Sequence, residues 1–290
     1  MTTDDTLNAL RKEIDAIDRE IHDLIMRRTR VVEKVTAAKE GDRIKIRPSR
    51  EADILFRLLG RHKGAFPKRE LVRIWRELIV ATVSMEGPFS IALLAPDGDE
   101  TAYWDITRDQ YGSFTPLSRH ASAMRVVEAV RTLKATVGIV SVPQRGEAKP
   151  WWPQLINNTR TAPRIIAKLP FAGSGNSRGA DEALAIARID QEKSGRDRSF
   201  LVIEATEDIS RQKLSASLRA ARMDPVQVLL WHDNQKPEQW LHLAEIEGFV
   251  APDDRRIERL TDDVGDPIRH VYHVGGYALP LTPADLKGGA

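Results

Sequence analysis

The chain contains no cysteine, which excludes disulfides, zinc–thiolate sites and thiol nucleophiles at once. No apolar run approaches the roughly 20 residues that a membrane span needs. The first residues are polar and acidic, without the apolar core of a secretory leader, so a cytoplasmic protein that makes no use of a membrane is expected. Aromatic residues are scarce, at 6%, and neither sign of charge dominates: 44 Lys and Arg against 42 Asp and Glu leave a net +2. That balance argues against a polyanion-binding tail, so no nucleic-acid partner is expected and local arginine clusters matter more than the total. The scattered histidines show no metal spacing. What is present, 290 residues with 30% charged and 41% hydrophobic, is an ordinary soluble composition for two or three domains.

Residues 6–39 read as one long helix. Leu7, Leu10, Ile14, Ile17, Ile21, Leu24, Val31, Val35 and Ala38 alternate three and four apart, a heptad seam that keeps one stripe on a partner helix. The seam is interrupted at Arg28, and a neighbouring stripe spaced by seven runs Arg11, Asp18, Ile25, Val32, Lys39. Cations at positions that should be dry are costly unless an anion meets them. The helix would be about 50 Å long, too long for a domain of this size, so part of it is predicted to pack on another subunit. After a basic loop at 43–48, Ser49 caps a second helix with Glu51, Leu55, Leu58 and Leu59 on one face. Residues 68–85 form a third, with Leu71, Ile74, Trp75, Leu78 and Thr82 inward, which Gly87-Pro88 stops.

The pattern then changes. Residues 89–94 read as a buried strand, 101–111 and 122–133 as helices, and 136–142 as a strand, which together suggest a parallel α/β sheet. Residues 144–160 are irregular. A strand at 164–169 leads to a Gly/Ser/Asn loop at 173–179, read as a linker in preference to an anion cradle, and then to a helix at 181–193. From 199 the order is strand, helix (209–222), strand (225–231), strand (239–246), helix (252–262), strand (268–274), a ferredoxin-like βαββαβ module.

Helix geometry limits what the cations share. Arg28 and Lys39 stand about 16 Å apart along the axis and can clasp a small diacid, whereas Arg11 lies about 25 Å to the other side of Arg28. In an antiparallel pair of such helices, Arg11 of one chain comes level with the other chain's site. This predicts a homodimer with composite sites for a dicarboxylate, which arginine forks bind bidentately. The competing reading is snorkelling surface cations beside a coiled coil. Glu51 after Arg50, and Thr82 four residues before Glu86, place further polar groups on otherwise apolar faces.

Residues 7–87 resemble the all-helical chorismate mutase family in the stretch Leu10-Arg11-Lys12-Glu13-Ile14-Asp15-Ala16-Ile17-Asp18, then in Arg28, Val35, Lys39, Arg50-Glu51 and the final helix. The resemblance implies an isomerase of aromatic amino-acid biosynthesis in the shikimate pathway, converting chorismate to prephenate without a cofactor or metal. It implies an intertwined dimer in which Arg28 and Arg11 of the partner subunit hold the two carboxylates. Lys39 would donate to the ether oxygen whose bond breaks, and Glu51 would bind the ring hydroxyl. Arg47 would lie in the loop that offers a backbone amide to that hydroxyl, Arg50 would order the region, and Thr82 would line the ring-carboxylate end. Many bacterial relatives have Gln where this chain has Glu86. An ionised Glu cannot donate to the ether oxygen, so turnover is expected to rise at mildly acidic pH, with Glu86 protonated in the active form.

Residues 91–142 resemble the first lobe of prephenate dehydratase, and 198–281 the ACT module that usually follows, down to Val274-Gly275-Gly276-Tyr277. The dehydratase motifs are altered: Gln144-Arg145-Gly146 replaces Glu-Asn-Ser, and Arg198-Ser199-Phe200 lacks the threonine of Thr-Arg-Phe. The ACT effector signatures are likewise replaced, by Gln212-Lys213-Leu214 and Leu230-Trp231-His232-Asp233. The expected layout is a mutase domain (1–87), a degenerate dehydratase-like region (88–197), an ACT-like domain (198–281) and a tail (282–290). A mutase with a noncatalytic C-terminal region is the leading expectation. A bifunctional enzyme with an altered dehydratase site, a non-enzymatic amino-acid sensor, and a lyase acting on isochorismate stay open, as does an amino-acid effector on the C-terminal modules.

Overall fold

A computed structural model describes residues 3–38, 44–99, 101–156, 161–173, 182–264 and 267–287. Three helices open the chain: α1 (Thr3–Ala38), α2 (Pro48–Arg61) and α3 (Lys68–Glu86). In α1 the two stripes have different fates. Ile25, Arg28 and Val32 are half-buried on the side that meets α3. The heptad seam is not covered by its own chain, and Leu7, Leu10, Ile14, Ile17, Ile21, Leu24, Val31 and Val35 are 45% to 61% exposed. No helix among the described residues is long and apolar enough to cross a membrane.

The inward face expected for α3 needs correction. Thr82 is buried, but Ile74 is 46% exposed, and the other buried residues are Val72, Arg76, Ile79, Val80 and Val83. This helix carries two stripes of helical period, and the body of the protein covers the second. Ile79, Val80 and Val83 join Ile91, Ile106 and Tyr111 in one core, while Ala52, Leu55 and Leu59 of α2 pack with Phe171, Ala278 and Leu281 in another.

The body contains β1 (Ile91–Leu94), α4 (Trp104–Tyr111), β2 (Leu117–His120), α5 (Ala123–Arg131), β3 (Val137–Ser141), a 3₁₀ turn (Trp152–Leu155), β4 (Arg164–Leu169) and β5 (Ala183–Ala187). It continues through β6 (Asp197–Ala205), α6 (Arg211–Ala220), β7 (Pro225–His232), β8 (Trp240–Glu247), α7 (Arg255–Val264), β9 (Ile268–Ala278) and α8 (Pro283–Leu286). The nine strands among the described residues form one sheet, in the order β2-β1-β3-β5-β4-β9-β6-β8-β7. Strands β1 and β3 are parallel, as expected, and β2, which the sequence did not suggest, joins β1 in parallel at the edge. The sheet as a whole is mixed, because β5 runs antiparallel to both β3 and β4.

Strand β5 stands where a helix was expected at 181–193. All five of its residues are buried, and a strand covered on both faces shows no alternation by which to tell it from a helix. The two flanking strands, β3 and β4, decide it. Most of the 173–179 loop lies outside the described residues.

The last four strands take the order β9-β6-β8-β7, all antiparallel, which is the expected ferredoxin-like arrangement. Leu201 and Ile203 pack with α6 and α7, while Phe200 and Val202 face Trp151 and Trp152. The two parts of the sheet join where β4 meets β9 in parallel at Ile165 and Gly275. Gly275 has φ +110, and a Cβ there would sit 2.2 Å from Ile165 O. Gly275→Ala is therefore expected to cost about 3 kcal/mol or more, combining backbone strain with overpacking. A urea midpoint equal to wild type would contradict that.

Candidate active site

The site lies where α1 crosses α3. Arg28 Nη1 donates to Leu78 O and to Thr82 Oγ1, both at 3.4 Å, the long end of hydrogen bonding. Thr82 is held in turn by donating back to its own helix at Ile79 O, 2.7 Å. A guanidinium has five donors, and no carboxylate among the described residues pairs with this one. Burial pushes the Arg28 pKa down, as it must where water is removed and no counter-ion replaces it. The interrupted seam thus holds a half-buried cation that faces two neutral acceptors.

Glu51 lies in the first turn of α2, whose start at Pro48 has no side-chain cap. Its backbone N–H donates to Arg47 O at 2.9 Å, and its Oε1 reaches back to accept from the Arg47 backbone N–H at 3.3 Å, like half of a capping box. Glu51 Oε2 accepts from Arg76 Nη1 at 2.9 Å, with both side chains buried. Arg76 was missed by the sequence reading. The signal was present, since Val72, Arg76, Ile79 and Val83 put a cation on an apolar stripe just as Arg28 is placed in α1.

The other candidate residues are more dispersed. The Arg47 amide, expected to face a substrate hydroxyl, meets Glu51, and its guanidinium pairs with Glu192 at 2.7 Å. Arg50 pairs along its own helix with Asp53 at 2.7 Å. Glu86, half-buried in the last turn of α3, lies one turn beyond Thr82. Arg11 is exposed, with Asn8 Oδ1 at 3.4 Å, and about 25 Å of helix separates it from Arg28. Lys39 lies outside the described residues. The fold therefore brings Arg28 to Thr82 and Glu51 to Arg47 and Arg76, while Arg11 stands apart.

The altered dehydratase motifs are engaged elsewhere. Arg198 pairs with Glu245 at 3.2 Å, which also accepts from the Tyr277 hydroxyl. Ser199 Oγ donates toward Gln191 Oε1 (3.0 Å) and Gly248 O (3.1 Å) and accepts from Val250 N. The Gln144 amide turns back on Val142 O.

Chemically, the α1–α3 crossing offers a cation able to fork a carboxylate and a hydroxyl beside it, and the start of α2 separately offers a carboxylate with two of its roughly four acceptor positions taken. Residues 10–87 match the chorismate mutase type II family. The bifunctional chorismate mutase/prephenate dehydratase of Stutzerimonas stutzeri is 34% identical over 104 residues, covering 34% of this chain and 28% of that protein. The one from Aquifex aeolicus is 33% identical over 142 residues, 47% and 38% respectively. The chain thus spans well under half the length of the curated relatives it matches. A prephenate dehydratase from Arthrobacter aurescens, solved in complex with L-Phe, superposes with a TM-score of 0.49 at 12% identity, covering 69% of this chain and 92% of that one. The N-terminal part of the chain, residues 10–87, is a domain of the chorismate mutase type II family.

Proposed function

We propose that the chain is a chorismate mutase that converts chorismate to prephenate, with a C-terminal region that does no chemistry. The observation that carries this reading is Arg28, a partly desolvated guanidinium held by two long bonds to neutral acceptors. A dicarboxylate is the anion it lacks. The rearrangement is pericyclic and needs neither nucleophile nor general base, only a compact substrate conformer and stabilisation of charge growing on the ether oxygen. In this reading Arg28 and Arg11 of the partner subunit take the two carboxylates, Lys39 donates to the ether oxygen, and Glu51 accepts from the ring hydroxyl. Arg47 and Arg50 order the loop beside it, and Thr82 lines the ring-carboxylate end.

The dimer follows from the same helix. Eight exposed apolar residues in one heptad seam on α1 are what an antiparallel copy would cover, and that copy would bring Arg11 level with Arg28. We place the mutase domain at 1–87, a dehydratase-like region at 88–197 and an ACT-like domain at 198–281. A bifunctional enzyme is the second reading, favoured by the relatives, which carry both activities by name. One assay tests both: chorismate is supplied at neutral pH, with and without phenylalanine or tyrosine. Prephenate alone supports the first reading; phenylpyruvate above the acid-catalysed background supports the second; no turnover contradicts both.

Glu86, one turn beyond Thr82, is placed at the ether-oxygen end of the site. Glu86→Gln, whose amide N–H donates at any pH, is expected to raise the rate at neutral pH, and an unchanged rate would count against a donor role at this position.

A further inference from the structure

Arg76 and Tyr111 have no part in the reaction as described, yet Arg76 is bonded to Glu51 and Tyr111 is buried in the core that α3 shares with the α/β body. Arg76, 4% exposed at mid-α3, donates to Glu51 Oε2, lies with its guanidinium 4.7 Å from the Phe171 ring, and leaves Nε buried without a partner. Tyr111, also 4% exposed, ends α4 in the α/β body, 6.1 Å from the Phe89 ring, and its buried hydroxyl has no partner either. It shares a core with Ile46 and Ile79, close along the chain to Arg47 and Arg76. The main chain just after it is pressed onto α3, since a Cβ on Gly112 would lie 3.0 Å from Glu77 Oε2 and 3.2 Å from Val80 Cγ1. Burial and the Glu51 charge push the Tyr111 phenol up, against the pull of Arg76, so it stays a neutral O–H in the field of both members of the pair.

A purely structural account of this cluster is weak. A buried ion pair often contributes no more than apolar residues of the same volume, and here it is accompanied by a donor nitrogen and a hydroxyl that bond to nothing. What the arrangement does provide is a fixed carboxylate. Arg76 and the Arg47 amide bond one oxygen each of the Glu51 carboxylate, and so hold its plane.

We propose that Arg76 is a positioning residue for the mutase reaction, holding the Glu51 carboxylate so that its remaining lone pairs meet the substrate hydroxyl. Because Phe171, whose ring lies against the Arg76 guanidinium, belongs to the α/β body, that body is then part of the mutase machinery rather than an appendage. This rests on the mutase reading above.

The test uses the full-length chain and the variants Arg76→Lys and Arg76→Met, with Arg28→Ala as reference and Tyr111→Phe as a packing control. Tyr111→Phe removes only an unpartnered buried hydroxyl, so an unchanged or higher melting temperature and wild-type kinetics are expected of it. Arg76→Met is expected to lose about 100-fold in kcat, as misplacement of a reacting geometry does. Arg76→Lys is expected to recover part of that, with kcat about 10-fold below wild type, the low end of what losing an outer-shell partner costs at metal sites. Should Arg76→Met not fold, Arg76→Lys still decides. Wild-type kcat and KM in folded Arg76→Lys, with Arg28→Ala inactive, would overturn the positioning role alone. A fully active Arg28→Ala would remove the mutase reading and this proposal with it.

Discussion

Arg28→Ala is expected to lower the rate of chorismate consumption by about 10²–10³-fold, the cost of deleting one preorganised charge partner of a transition state. The same substitution is expected to leave the unfolding midpoint unchanged or slightly higher. In the folded chain the guanidinium is partly desolvated, its pKa is lowered, and its two bonds to Leu78 and Thr82 are long. A group that is paired for stability behaves in the opposite way, with its charged form favoured. Loss of activity without loss of stability is the trade-off of a residue kept for binding. Arg28→Lys sharpens the test, since lysine keeps the charge but not the planar fork and is expected to fall between the two. An Arg28→Ala chain with wild-type turnover would contradict the site assignment.

The second large effect concerns acid. His242 in β8 is 1% exposed, with Nε2 unpartnered, and His273 in β9 is 8% exposed. Burial pushes each down to about 4, helped at His273 by the nearby Arg164 charge and opposed there by Asp190 and the Val250 main chain, and opposed at His242 by Asp208. Both stay neutral in the folded chain at neutral pH, whereas in the unfolded chain they titrate near 6.5. Between these values the unfolded chain binds protons that the folded chain refuses, so stability falls as pH drops from about 6.5 to about 4. Each shift corresponds to about 3 kcal/mol at the acid end, and the two together are a large fraction of the roughly 5–15 kcal/mol that holds a domain. Urea midpoints at pH 7 and pH 4.5 measure it. His242→Leu is expected to halve the slope, and equal midpoints at both pH values would contradict the account.

What could be read in advance divides along the range of the interactions. The length of α1 and the oddity of Arg28 follow from spacing alone, because a heptad makes any charge on its seam visible. The ferredoxin-like order of β6 to β9 was legible for a similar reason, with alternating strands and marked turns. The partner of Glu51 was not, because α3 has two apolar stripes and only contact with the α/β body selects the one that carries Arg76. The Ala183–Ala187 strand is decided by β3 and β4 on either side, and the Arg47–Glu192 pair joins residues far apart in the chain. Gly275 was noticed as part of a motif, but its reason, the backbone of Ile165 against its α-carbon, is visible only where two strands meet.

The central claim is a site built from two chains, and subunit complementation tests it most directly. Arg11→Ala and Arg28→Ala chains are purified separately, each expected to be nearly inactive, then mixed under conditions that exchange subunits. In a mixed dimer one site carries both substitutions and the other carries none. Random pairing makes half of the dimers mixed, so the account predicts recovery of about a quarter of wild-type turnover, as an isologous two-fold assembly requires. A mixture no more active than its two parents would contradict it.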